Sequence, residues 1–276
     1  MSLSIKVHNR LMDLSSPKVM AIVNITPDSF YTSCGYKNLE RVLLQVQDYL
    51  DQGADIIDIG ACSTRPNSTP IDAKEEWKRL GPALAAIRTY FPDTILSIDT
   101  FRADIAEKAI LEGVDIVNDV YGGEADQEIW KTVARYDIPY ILTLAQDLSK
   151  DSDKNSYDYT MSEVVDFFQK KLNQLHGMGI ADVILDPGFG FAKTNEQNYT
   201  ILNQLDILSI LHTPILVGIS RKSMLYNPLG VTPQDVLPAT IAANTLALER
   251  GANILRVHDV LAAKQAITIY SLTHKI

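Results

Sequence analysis

Short, near-continuous runs of Val, Ile and Leu recur along the chain. They fall at Val19–Val23, Ile56–Ile59, Ile95–Ile98, Ile116–Val117, Ile138–Leu142, Val183–Leu185, Ile215–Val217 and Ile254–Val257. Runs without polar alternation read as strands buried on both faces, as in parallel sheets. Between them apolar residues stand three and four apart, as in Val42, Val46, Tyr49, Leu50 and Val164, Val165, Phe168, Leu172, Leu175, which is the period of a half-buried helix. Gly53, Gly113, Gly179 and Gly251 lie where such helices should end. Eight strand–helix units in 276 residues predict one (β/α)8 barrel over residues 1–276, because an open sheet has no reason to stop at eight. No G-x-G-x-x-G follows the first run, which counts against a dinucleotide-binding sheet. Ahead of the barrel, Ser4 to Leu14 alternates around His8-Asn9-Arg10 and predicts a small hairpin, within residues 1–16, covering one end of the core. The polar stretches Ser29–Asn38, Cys62–Asp72, Gln146–Tyr159 and Leu225–Pro233 follow strands and are expected to be irregular.

A barrel directs attention to the carboxyl ends of its strands, where its active sites are built. In order, these ends deliver Asn24; Asp58, then Ser63-Thr64-Arg65-Pro66; Asp99-Thr100; Asn118-Asp119; Thr143; Asp186; Ser220-Arg221-Lys222-Ser223; and Arg256-Val257-His258-Asp259. Strand starts carry little beyond Asp55, Asp115 and Asp182, so the polar groups are asymmetric. They sort into two chemistries. Arg65, Arg221, Lys222, Arg256 and His258, with Asn24, suit a phosphate or pyrophosphate, arginine matching its oxygens with a planar fork. Asp99, Asn118 and Asp186 suit the paired N–H groups of a 2-amino-4-oxo-pyrimidine edge. The turn Asp186-Pro187-Gly188-Phe189-Gly190-Phe191-Ala192-Lys193 adds a flat apolar surface and a cation to the acid.

Other candidates have plainer readings. Asp58 lies inside an apolar run and reads as a hydrogen-bonded structural acid, while Asp119 and Asp259 read as caps of the helices that follow. Arg102 is expected on a helix exterior, and His8, His176, His212 and His274 on the surface. Cys34 and Cys62 lack the spaced partners of a zinc site.

Composition narrows the setting. Hydrophobic residues make up 46%, enough for a sizeable core. A net charge of −9 argues against a nucleic-acid or anionic-membrane surface, so any anion must be held by a local cluster of donors. Two cysteines, no span of roughly 18 apolar residues and no recognisable signal peptide lead to the expectation of a cytoplasmic protein.

Seven segments, in this order, resemble dihydropteroate synthase: Val23-Asn24-Ile25-Thr26-Pro27-Asp28-Ser29-Phe30, Ser63-Thr64-Arg65-Pro66, Ser97-Ile98-Asp99-Thr100, Asn118-Asp119-Val120, Asp186 to Phe191, Gly218 to Ser223 and Arg256 to Asp259. The resemblance implies a TIM-barrel enzyme of folate biosynthesis. In its reaction p-aminobenzoate displaces pyrophosphate from 6-hydroxymethyl-7,8-dihydropterin pyrophosphate, giving 7,8-dihydropteroate. It also implies a pterin set of Asp99, Asn118, Asp186 and Lys222. It further implies that Asn24, Arg65, Arg256 and His258 serve pyrophosphate and Mg²⁺, with Asn24 a direct or near ligand of the metal. Thr64, Arg65, Pro66, Phe191, Lys222 and Ser223 make the p-aminobenzoate pocket. A homodimer is implied too, with the Ala- and Leu-rich stretches near Pro238–Arg250 and Leu261–Leu272 as its face. The chain departs from the family where Thr143-Leu144 replaces a Met-His pair, Ala61-Cys62 a Gly-Glu pair and Asn67 a glycine. A catalytically impaired pterin-binding paralogue and a methyltetrahydrofolate-dependent methyltransferase are the alternative readings.

Overall fold

The computed structural model describes residues 3–7, 10–25, 35–61, 71–145 and 161–275. Eight parallel strands form one sheet in the order β8-β7-β6-β5-β4-β3-β10-β9. They are β3 Lys18–Asn24, β4 Ile56–Gly60, β5 Ile95–Asp99, β6 Ile116–Asp119, β7 Tyr140–Thr143, β8 Val183–Asp186, β9 Leu216–Val217 and β10 Ile254–Val257. A parallel bridge from Leu185 to Ile215 and a bond from the Leu185 N–H to the Pro214 carbonyl, 2.8 Å, join the last two edges. The sheet therefore closes into the expected barrel. Helices cover its outside, among them Gly35–Asp51, Ala73–Tyr90, Met161–Gly177, Leu237–Glu249 and Val260–His274. Gly53, Gly113, Gly179 and Gly251 have φ of 91°, 91°, 89° and 91°, so the helix ends fall where the glycines placed them.

Successive side chains on a strand alternate between faces, and the two faces here have different partners. Outward residues such as Val19, Ala21, Ile57, Ile98, Leu142, Leu185 and Val257 join the helices in one large core. Inward residues at the strand starts, Met20, Ile56, Ile116, Ile141, Ile184, Leu216 and Ile254, form a second, smaller core with Ile5, Val7 and Leu14. Those last three come from the antiparallel hairpin of β1 Ser4–Val7 and β2 Arg10–Asp13 and the residue after it. The hairpin plugs the amino-terminal end of the barrel, as expected, and leaves the other mouth for chemistry.

Two loop expectations are corrected. Leu225–Pro233 was expected to be irregular, but Ser223–Leu229 is helical, with Pro228 in its last turn and Gly230 at φ 65° ending it. Proline in so short a helix breaks little, because few N–H groups there have a helical partner to lose. The stretch Ser29–Asn38 ends in helix, since Gly35–Asp51 begins inside it. Residues 29–34, 62–70 and 146–159 of the expected loops lie outside the described residues.

Candidate active site

The same alternation that seals one end of the barrel arms the other. Except on the first barrel strand, where Ile22 follows Met20, two residues beyond each inward apolar residue stands an inward polar or small one: Asp58 above Ile56, Ser97 above Ile95, Asn118 above Ile116, Thr143 above Ile141, Asp186 above Ile184, Gly218 above Leu216 and Arg256 above Ile254. One further step reaches Asn24, Asp99 and His258. Parallel register places Asn24 opposite Gly60, Asp99 opposite Asn118 and Thr143 opposite Asp186. The acids and Arg256 thus share one mouth. A Cβ built on Gly218 would lie 3.8 Å from Arg256 Cβ and 3.9 Å from Lys222 Nζ, so both cations flank that glycine.

A chain of polar contacts runs across this wall. Asn118 Nδ2 donates to Asp58 Oδ2 at 3.0 Å, and Arg256 Nε donates to the same oxygen at 2.7 Å. Arg256 Nη2 lies 2.6 Å from both Asp58 Oδ2 and Asp99 Oδ2. Asp58 is therefore the structural acid expected, although its partners are two site residues. Arg256 Nη1 has no partner among the described residues, so two guanidinium N–H groups remain for a ligand. Burial pushes the Asp99 carboxyl up to about 7 against the pull of Arg256. Burial also opposes the charge on Arg256, but Asp58 and Asp99 outweigh it and hold the guanidinium more basic than usual.

After β8 the loop turns back sharply. Asp186 Oδ1 accepts the Gly188 N–H at 2.8 Å. Gly188 has φ 69°, and a Cβ there would lie 2.0 Å from the Leu144 carbonyl oxygen, so no other residue fits. Burial raises the Asp186 pKa, while Lys222 draws it down. Lys222 Nζ donates to the Phe189 carbonyl at 2.5 Å and sits 4.6 Å from the centre of the Phe191 ring. Burial lowers the Lys222 ammonium to about 8. Ser223 opens the next helix beside it. The cation expected within the turn, Lys193, turns away: its Nζ donates to the carbonyls of Leu144 at 2.6 Å, Gly188 at 3.0 Å and Phe191 at 3.2 Å. It binds the loops after β7 and β8 together, and Lys222 supplies the charge above Phe191.

His258 is oriented by Ser220. The Ser220 hydroxyl oxygen accepts the His258 backbone N–H at 3.3 Å and lies 3.1 Å from Nδ1. The two contacts fix the ring through its Nδ1 side.

Four expectations need correction. Arg221, grouped with the phosphate donors, is bound to Asp259 through Nε at 3.0 Å and Nη2 at 2.6 Å. Its φ of 56° turns it away from the line of the strand, and Asp259 consequently makes no side-chain cap bond. Arg102, expected on a helix exterior, pairs with Glu76 and donates to the Ile71 carbonyl at 2.7 Å, because Glu76 is wholly buried and needs a counter-charge. Asp119 caps a turn instead of a helix, accepting from the N–H groups of Tyr121 and Gly123 and from the Tyr140 hydroxyl. Gly218 and Lys193 carry roles the sequence did not assign. Their only signal was position: one at the inward parity of a strand end, the other after a Gly-rich turn. Thr64, Arg65, Pro66, Cys34 and Cys62 lie outside the described residues. His176, His212 and His274 are exposed, as expected.

No cluster of three His, Cys, Asp or Glu side chains suited to a metal occurs among the described residues. Asn24 offers one hard amide oxygen beside Gly60, over which Asp99 packs. This sparse set fits Mg²⁺ carried chiefly by substrate phosphates, since that ion keeps most of its ligands from outside the protein.

The family model described as pterin binding enzyme matches residues 20–258. A dihydropteroate synthase of Haemophilus influenzae is 34% identical over 269 residues, covering 96% of this chain and 97% of that protein. The Xanthomonas albilineans dihydropteroate synthase solved with 4-aminobenzoic acid superposes with a TM-score of 0.90 at 30% identity over 100% of both chains. The Yersinia pestis enzyme solved with a sulfonamide drug gives 0.89 at 35% identity over 99% of this chain and 100% of that one. With this barrel, this mouth and these relatives, the chain belongs to the pterin-binding enzyme family, among its dihydropteroate synthases.

Proposed function

We propose that this chain joins p-aminobenzoate to 6-hydroxymethyl-7,8-dihydropterin pyrophosphate, releasing pyrophosphate, and that the inward rim of the barrel carries out the step. One observation supports this above the others: buried acids and cations converge on a single mouth, with Arg256 touching Asp99 while Lys222 stands over Phe191. Asp186 holds the amidine-like edge of the pterin, with Asn118 and Lys222 beside it and Phe191 against the ring. Arg256, through Nη1, and His258 hold the departing pyrophosphate together with Arg65. We assign p-aminobenzoate to Thr64, Arg65, Pro66, Phe191, Lys222 and Ser223; the 4-aminobenzoic acid and sulfonamide complexes of relatives support that kind of substrate.

The bond between the pterin methylene and the bridging oxygen breaks, its electrons leaving with pyrophosphate. Arg256 and His258 stabilise the charge growing on that oxygen. The electron-rich ring shares the positive charge left on the methylene, and ionised Asp99 favours it electrostatically. The aniline nitrogen then forms the new C–N bond and releases a proton to solvent. Aniline needs no strong base, so positioning is the main contribution of the protein. Asn24, with the substrate phosphates, would hold Mg²⁺, which would supply further charge neutralisation on the leaving group.

A homodimer is part of the proposal. Leu246, Leu261, Ile269 and Leu272 on the last two helices are 55%, 53%, 66% and 73% exposed, an apolar surface that a second copy would cover. No described helix is long and apolar enough to cross a membrane, and the cytoplasmic expectation rests on composition. Incubating the protein with pterin pyrophosphate, p-aminobenzoate and Mg²⁺ tests the whole reading. Dihydropteroate and pyrophosphate should form in equal amounts; pterin binding without product would leave only a binding protein.

A further inference from the structure

Thr143 ends β7 on the inner face, two residues after Ile141, which packs in the lower core of the barrel. Its neighbour across the sheet is Asp186. The side chain is 1% exposed, yet Oγ1 makes no hydrogen bond among the described residues. A buried hydroxyl without a partner costs stability, whereas valine would fill the same space without that cost. The backbone offers no reason for threonine here: Leu144 N–H already reaches the Asp186 carbonyl at 2.9 Å. Ser97 Oγ is also unpaired, but its cross-strand neighbours are Asp58 and Ile116, whereas Thr143 stands beside Asp186.

We infer that Thr143 is a specificity-determining residue of the heterocycle pocket, its hydroxyl donating to a ring acceptor beside the edge that Asp186 holds. This rests on the pterin role proposed for Asp186. On a 2-amino-4-oxo-pyrimidine ring, the carboxylate takes the ring N–H and the exocyclic amine. The atoms flanking that pair are the carbonyl oxygen on one side and an unprotonated ring nitrogen on the other. Both are acceptors, so the hydroxyl donates whichever way the ring faces. An unpaired buried hydroxyl also disfavours rings that present hydrogen or carbon at that point, which would leave it unsatisfied.

The test uses Thr143→Val and Thr143→Ser with calorimetric titration of pterin pyrophosphate, thermal unfolding without ligand, and steady-state kinetics. Thr143→Val should weaken pterin binding about tenfold, the size of one hydrogen bond lost in a buried site. Thr143→Ser should stay within about twofold, because it keeps the hydroxyl. KM for p-aminobenzoate should stay unchanged in both, and the unliganded valine variant should melt at or above the wild-type temperature. If Thr143→Val does not fold, Thr143→Ala takes its place, paired with a pterin lacking the 4-oxo group. Wild-type affinity in the valine or alanine variant overturns the inference while leaving the proposed function standing. A wild-type protein that binds no pterin overturns both.

Discussion

Asp186→Asn is the most informative single change at the mouth. The side chain is 5% exposed, with Oδ1 committed to the Gly188 N–H at 2.8 Å; in the proposed role Oδ2 is left for the ligand. Asparagine can keep the first bond by turning its carbonyl oxygen to Gly188. That places its NH2 group toward the pterin, where a donor meets the donors of the ring. Two charge-assisted bonds, each worth about 1.5–3 kcal/mol, are weakened or lost together. A combined loss of about 3–4 kcal/mol corresponds to about 10²–10³ in affinity. Because the loop bond survives, the melting temperature should change little, whereas Asp186→Ala would also free the Gly188 N–H. Calorimetric titration of pterin pyrophosphate, beside a thermal melt of the same sample, reads both quantities. An affinity within about threefold of wild type, with an unchanged melt, would refute the role of Asp186.

Other outcomes follow from the same geometry. Arg256→Ala leaves Asp58 and Asp99 without their shared cation, so it should destabilise the fold by about 3–5 kcal/mol. It should also slow the chemical step more than it weakens pterin binding; equal losses in a pre-steady-state experiment would count against its leaving-group role. Activity should rise as Asp99 ionises near 7 and fall as Lys222 loses its proton near 8, giving a narrow bell in kcat/KM. In the unliganded protein the raised Asp99 pKa favours the neutral acid, so its contribution to stability is present below about pH 4 and lost as pH climbs through 7. Asp99→Asn should flatten that part of the melting-temperature profile, and an unchanged slope would show that another group governs it. At the sealed end, Ile5→Ala removes a fully buried hairpin side chain and should cost about 2–5 kcal/mol with kcat intact, which urea unfolding and a rate assay measure together.

The barrel was legible because its signal is repetitive: eight apolar runs, helical spacing between them and glycines at the helix ends. The inward set was legible for a simpler reason. Once Ile56, Ile116, Ile184 and Ile254 are taken as inward, period two carries Asp58, Asn118, Asp186 and Arg256 to the same wall. Pairing among the charges was not legible, since residue type says nothing about which partner lies nearest. Arg221 and Arg256 are both arginines near strand ends, yet one is locked to Asp259 and the other spans Asp58 and Asp99. Lys193 and Lys222 divide in the same way, one holding three carbonyls and the other lying over Phe191. Arg102 was misjudged because its partner, Glu76, looks like a surface residue at the start of a charged helix. Short helices escape periodicity as well, so Ser223–Leu229 read as loop from its Pro228 and Gly230.

The central claim is that one wall grips the ring while its cations draw off the phosphates. Isotopically labelled p-aminobenzoate, supplied with pterin pyrophosphate to wild type, Asp186→Asn and Arg256→Ala, tests it most directly by following labelled product and released pyrophosphate together. Wild type should yield both in equal amounts. The asparagine variant should recover partly at high pterin concentration, and the alanine variant should stay slow at saturation. Product formation by wild type that neither substitution impairs would contradict the account.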